Sequence, residues 1–185
     1  MLKYVSTIEV IMEIAGQIIG FIGMTLNIIS FQAKTGKKII IIQLISSVAW
    51  LAHFFLIGAY TGAILNGVCI IRNTLYAFKD RYKKPFTVIV PAFVIALFIA
   101  AGILTYTDAF SILPMVAMVL SSVALYLKKE TVLRLLSIIV SALWLTYNIR
   151  QHSIAGSLTE AFSIVSIIIA LIRYDIVGRR KNDQR

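Results

Sequence analysis

The sequence predicts an all-α integral membrane protein of seven transmembrane helices, built as two parallel three-helix repeats joined by a linker helix (3+1+3). Three observations carry this. The chain of 185 residues is 59% hydrophobic and 14% charged. Its Lys and Arg residues gather in short loops at alternate ends of apolar runs. Its second half repeats the first at an offset of 94 residues. A soluble chain with mean hydropathy +0.91 would leave large apolar patches exposed, whereas lipid is a solvent for such an exterior.

An apolar run of about 20 residues crosses the hydrocarbon as a helix. Such runs lie near residues 13–33, 38–58, 60–78, 86–105, 112–128, 131–149 and 154–173. The segment ahead of the first is a poor cleavable signal, because only Lys3 is basic and Glu9 and Glu13 interrupt the apolar stretch. It reads as a retained terminus. Gly16, Gly20 and Gly23 give the first span a small-residue face for close packing, and Ala117, Ser121 and Ala124 do so in the fifth. The fourth span is almost wholly apolar, as a lipid-facing linker would be, with Pro91 in its early turns where it costs little. The chain then divides into a first repeat (1–80), the linker helix with its loops (81–111), a second repeat (112–175) and a basic tail (176–185).

Lys and Arg set the expected orientation. One side collects Lys34, Lys37, Lys38, Lys79, Arg81, Lys83, Lys84, Lys128, Lys129, Arg134, Arg173, Arg179, Arg180, Lys181 and Arg185. The other receives Lys3 and Arg150, with Arg72 inside a span. The bias places the N-terminus outside and the C-terminus in the cytoplasm, which requires an odd number of spans. Because the charge of +10 sits in loops at span ends, and no nucleic-acid-binding signature accompanies it, nucleic acid is not an expected partner.

Positions 20–80 align with 114–174 without a gap. The uncommon identities carry the match: Trp50/Trp144, the loop pair Gly62/Gly156 and the basic loop residues Lys34/Lys128. Two fused three-span units would face opposite ways; the intervening span restores a common orientation. Parallel repeats of this kind are a transporter architecture.

This plan resembles the SWEET sugar facilitators and PnuC vitamin transporters. More closely, the run LIGAYTGAILNGVCIIRNTLYAF and its echo SIAGSLTEAFSIVSIIIALIR resemble the bacterial YgjV-type inner-membrane proteins. The superfamily resemblance implies uptake or facilitated diffusion of a small polar metabolite and, since relatives of this architecture form trimers, a homo-oligomer. The chain departs from SWEETs in lacking a proline-glutamine hinge motif: segment 14–33 has no proline, and the second repeat has only Pro114.

Polar side chains within spans should face protein or water. Gln43, Ser47, Trp50 and Phe54 share one face of the second helix, and Ser137, Ser141, Trp144 and Asn148 repeat it. Third helices add Gly62, Asn66 and Asn73, then Gly156, Glu160 and Ser163; first helices add Gln17, Met24 and Asn27, then Met118 and Ser121. Converging, these faces would line a central cavity, giving Asn66, Glu160, Trp50, Trp144, Asn27, Asn73 and Asn148 as candidate substrate contacts. By the SWEET resemblance, third-helix asparagines contact sugar, so Asn66 is a candidate contact while Glu160 replaces its mate. A carboxylate there can accept a proton and make transport depend on pH, hold a cationic solute between the two Trp rings, or pair with Arg72.

The bland reading is that Asn, Ser and Gln bridge helices at about 0.6 kcal/mol each. Trp50 and Trp144 read equally as packing anchors or interface-belt residues. His53 reads as an outer-interface residue. Arg72 either pairs with an acid or reaches the cytoplasmic interface through its long stem. Cys69 is a small core residue, and no disulfide, metal cluster or cofactor is expected. With two His in the chain and Glu160 the sole acid well inside a span, the parts of an intramembrane enzyme are lacking, and no nucleotide-binding loop is present. A small-solute transporter is the leading expectation, and a non-transporting accessory or sensor protein is the alternative.

Overall fold

The computed structural model describes residues 7–32, 36–78, 83, 86–127 and 130–172. Residues 1–6, the basic loop residues Lys34, Lys79, Arg81, Lys84, Lys128 and Lys129, and the tail after residue 172 lie outside them. The described residues form seven α-helices and no strand: α1 Thr7–Gln32, α2 Gly36–Leu56, α3 Tyr60–Ala77, α4 Phe86–Leu104, α5 Ile112–Leu127, α6 Glu130–Arg150 and α7 Ile154–Ala170. Each falls on one apolar run of the sequence. α1 starts earlier than the run suggests, adding turns that carry Glu9. An acidic group in a first turn complements the unpaired N–H groups there, so the helix continues past the apolar segment.

A 3₁₀ turn, Ala109–Ser111, leads into α5. Asp108 Oδ1 accepts from the Ser111 N–H at 3.0 Å and Ser111 Oγ accepts from the Asp108 N–H at 3.2 Å, a reciprocal capping box. The nearby Arg150–Asp108 ion pair, at 3.9 Å and exposed, adds little.

The turns joining α2 to α3 and α6 to α7 have one backbone design. Gly58 (φ 75°) and His152 (φ 55°) both take the left-handed conformation that ends a helix. Ala59 N–H donates to the Phe54 carbonyl at 2.8 Å, and Ser153 N–H to the Asn148 carbonyl at 2.9 Å. Each residue of the second turn stands 94 positions after its counterpart.

α2 packs between α1 and α3, and α6 between α5 and α7. α1 also meets α7, and α3 meets α5, so these six helices close into a ring. α4 lies outside the ring, seated on α3 and α5 through Val94, Phe98, Ala101 and Gly102. Its other face exposes Ile89, Phe93, Ile99 and Ile103. Around the rest of the exterior Ile18, Ile22, Ile45, Val48, Ile139, Phe162 and Val165 are also exposed. The interior mixes apolar side chains such as Phe54, Leu65, Phe98 and Tyr147 with buried serines, asparagines and a histidine. An exterior this apolar over buried polar groups suits lipid better than water. Thr7–Ile29 and Phe86–Leu104 are each long and apolar enough to cross a bilayer, and Ile41–Leu56, Ala109–Ala124 and Ile154–Ala170 are shorter apolar helices.

Candidate functional site

The ring walls a half-open cavity of about 250 Å³. Helical periodicity builds its walls. On α2, Gln43, Ser47, Trp50 and Phe54 follow a four-three-four spacing that keeps one face inward, and on α3 Asn66, Cys69 and Asn73 do the same. Asn27 enters from α1, Met118 from α5, Trp144 and Asn148 from α6, and Gly156, Thr159 and Glu160 from α7. All seven candidate contacts named from sequence therefore line one cavity. Cys69, Arg72 and Thr159 were not among them. Cys69 lay on the stripe by spacing, three residues after Asn66 and four before Asn73. Thr159 carried no signal, because its hydroxyl bonds its own helix at the Ala155 carbonyl, 2.8 Å away.

One end of the cavity, where α2 turns into α3 and α6 into α7, is closed by aromatic rings. Phe54 stacks on Trp144 with centroids 5.6 Å apart, and Trp50 lies 5.9 Å from Phe54. Behind this layer, residues of equivalent position reach across the ring in opposite directions. His53 Nδ1 lies 2.7 Å from the Gly16 carbonyl and Nε2 lies 2.7 Å from Ser153 Oγ. A carbonyl can only accept, so the proton sits on Nδ1 and Ser153 donates to Nε2. Ser153 Oγ in turn accepts from the Gly156 N–H at 3.1 Å, capping α7. At the matching start of α3, Ala59 has no side chain able to cap. Tyr147 of α6 does it instead: the Gly62 N–H donates to its hydroxyl at 3.0 Å.

Tyr147→Phe removes that cap and leaves the Gly62 N–H buried without an acceptor. The expected loss is about 1–2 kcal/mol, read as a lowered unfolding midpoint in detergent. An unchanged midpoint would show that the bond contributes nothing.

Several sequence readings are corrected by this geometry. His53 is 0% exposed, so it is not an interface residue; burial between α1 and α7 provides for both its nitrogens. Trp50 and Trp144, 8% and 6% exposed, are cavity walls rather than belt residues, because their faces turn inward on the ring. Gln17 does not line the cavity. It clamps the α6–α7 turn, donating to the His152 carbonyl at 2.8 Å and accepting from the Ile154 N–H at 3.1 Å. Among the described residues Arg72 pairs with no acid, and its side chain lines the cavity. Its guanidinium donates to Ser121 Oγ at 3.0 Å and to Asn73 Oδ1 at 3.3 Å, and lies 5.7 Å from the Phe98 ring centroid. Glu160 has the Ser141 hydroxyl as its polar neighbour. Asn66 gives an amide hydrogen to the Gly62 carbonyl at 2.9 Å, fixing its carboxamide against the cavity wall.

Packing is uneven along the ring axis. On α7, Ala155 and Gly156 are buried at the aromatic end, and from Glu160 to Ala170 no residue is. On α6 the buried residues run from Ser141 to Asn148, again toward the turn. Among the described side chains of α6 and α7, the tight contacts gather at the turn end. No curated protein and no solved structure matches the chain. A family of bacterial inner membrane proteins, Imp-YgjV, matches it over residues 14–176, a stretch that holds every cavity-lining residue. The apolar coat agrees with that location, and the chain belongs to the Imp-YgjV family of bacterial inner membrane proteins.

Proposed function

We propose that this protein is a membrane transporter, a facilitator or proton-linked carrier of a small polar metabolite that binds between two three-helix repeats. In this reading α1–α3 and α5–α7 are the repeats, α4 is the linker, and all seven helices span the inner membrane with the N-terminus outside. The 94-residue offset maps α1 to α5, α2 to α6 and α3 to α7, so the α1–α7 contact is the counterpart of the α5–α3 contact. In this reading a half-turn exchanging the repeats would leave the cavity on its axis, where transporters of repeat construction hold substrate. The SWEET and PnuC likeness belongs to this proposal through that plan alone.

The observation that carries the reading is the asymmetry of closure. Aromatic rings and the His53 and Tyr147 cross-links close the turn end, where the buried residues described on α6 and α7 also gather. In this reading, with the basic loops taken as cytoplasmic, that closure makes an inward-facing form whose inverse would open outward. A sensor or accessory protein has no need of a second opening.

The test is access to the cavity from both faces. In a Cys69→Ala background, Asn66→Cys is expected to react with a membrane-impermeant thiol reagent in inside-out vesicles and, about tenfold or more slowly, in right-side-out cells. Single cysteines at positions 35, 82 and 129 should react only from the cytoplasmic face. Modification of Asn66→Cys from one face alone, however long the exposure, would favour the sensor or accessory reading.

A further inference from the structure

We propose that the cavity takes a small zwitterion, its cationic nitrogen on Glu160 among the aromatic rings and its anionic group on Arg72. The inference rests on the transport reading above and names its substrate class. Glu160 and Arg72 line the same cavity, and no salt bridge joins them. Each instead has neutral partners: Ser141 for the carboxylate, Ser121 and Asn73 for the guanidinium. A carboxylate offers about four acceptor sites and a guanidinium five donors, so both retain capacity beyond these partners.

Two opposite charges held apart in one space of low dielectric are each costly. A solute carrying both complementary charges compensates both residues at once. A singly charged solute compensates one and leaves the other as it was. The rings favour the same polarity, because Trp50 and Trp144 wall the Glu160 end and a cation is attracted to the face of an indole. At the Arg72 end Ser121 and Asn73 hold the guanidinium in place, and its planar fork suits a carboxylate or phosphate.

The helices also set a length. α3 and α7 both start at the turn end, with Glu160 seven residues into α7 and Arg72 thirteen into α3. Six residues at about 1.5 Å per residue place the two backbones roughly 9 Å apart along the axis. Both side chains lean toward the turn end, and the longer Arg72 recovers part of that offset. With the lateral gap between α3 and α7 added, the solute charges should stand farther apart than in an α-amino acid. A cavity of about 250 Å³ limits the solute to a small metabolite.

The experiment measures binding to the full-length protein in detergent by thermal shift and calorimetry. The probes are glycine, 4-aminobutanoate, 5-aminopentanoate and 6-aminohexanoate, with pentylamine and pentanoate as singly charged controls. One of the three longer zwitterions is expected to bind about tenfold or more tightly than either control and than glycine. Glu160→Gln should make pentanoate as good a ligand as the zwitterion, and Arg72→Gln should do the same for pentylamine. Equal binding of pentylamine and the zwitterions by the unaltered protein would overturn the proposal in favour of a cation site. Failure of every zwitterion to exceed its controls would overturn it too.

A ligand-free measurement guards against variants that misfold. If each residue is an uncompensated charge, either single substitution leaves the unfolding midpoint unchanged or raises it. A fall in both singles that the double variant repairs would identify a structural ion pair and sink the proposal. The thiol assay separates this inference from the transport reading. Access from both faces without zwitterion binding would leave transport standing and remove the substrate class. Zwitterion binding with access from one face would do the reverse.

Discussion

Gly20→Leu should be the most damaging single change at the turn end, lowering stability by about 3 kcal/mol or more. A Cβ at Gly20 would stand 2.7 Å from His53 Nδ1 and 2.9 Å from Ala155 Cβ. Neither neighbour can yield. The His53 ring is held at both nitrogens, and Ala155 is 0% exposed with no rotatable side chain. The substitution must therefore push α1 off α2 and α7 together, opening the ring where it closes. Gly20→Ala should already cost about 1–2 kcal/mol, although alanine is the better helix former. Gly67→Ala is the control, since its Cβ would meet Leu51 Cδ1 at an ordinary 3.4 Å; it should be neutral or stabilising by up to about 1 kcal/mol. Unfolding midpoints of the three variants in one detergent check the order. Equal midpoints for Gly20→Ala and the unaltered protein would mean that α1 does not approach α7 as described.

Trp144→Ala should have the largest effect on access to the cavity. Its ring separates the cavity from the turn end, stacked on Phe54 at 5.6 Å and edge-on to Tyr147 at 5.8 Å. A buried tryptophan contributes 150–250 Å² of contact, so its loss removes most of the seal. If that contact is worth about 1.4–2.8 kcal/mol to the closed turn end, outward labelling of Asn66→Cys rises about ten- to a hundredfold. Trp144→Leu should fall between, filling part of the space without the stacking. Phe55→Ala serves as the comparison. Phe55 is 55% exposed and packs on Tyr60 outside the ring, so its removal should leave labelling unchanged. Similar rates for Trp144→Ala and Phe55→Ala would show that the aromatic layer is not the seal.

The helices were legible in the sequence because each is set locally. An apolar run of adequate length must satisfy its backbone as a helix in lipid, whatever its neighbours do. The polar stripes were legible for a similar reason: Gln43, Ser47, Trp50 and Phe54 share a face through the period of the helix alone. The 94-residue offset located matching positions, and the two turns with Gly58 and His152 in the left-handed conformation occupy such positions.

Partners were not legible. The stripe residues looked alike in sequence, yet Asn66 and Glu160 line the cavity while Gln17 binds the backbone of a turn 135 residues away. His53 sits one position before Phe54 and looked peripheral by its depth; only the approach of α1 and α7 buries it. Arg72 suited either an acid partner or the cytoplasmic interface by sequence, and the structure provides two neutral groups and a ring. A period fixes the direction in which a side chain leaves its helix. What it meets there depends on how close distant helices come.

The sequence by itself determined that this chain is helical and coated for lipid, with polar groups within, because those properties depend on runs and periods of residues. The tertiary structure decided that six helices close into a ring, that aromatic rings gather at one end, and that Glu160 and Arg72 line one cavity without a salt bridge between them. Those outcomes depend on contacts such as Gly20 against Ala155 and His53 against Ser153, about one hundred residues or more apart along the chain. Residues so far apart meet only once the ring has formed, and no local pattern encodes the distance between them.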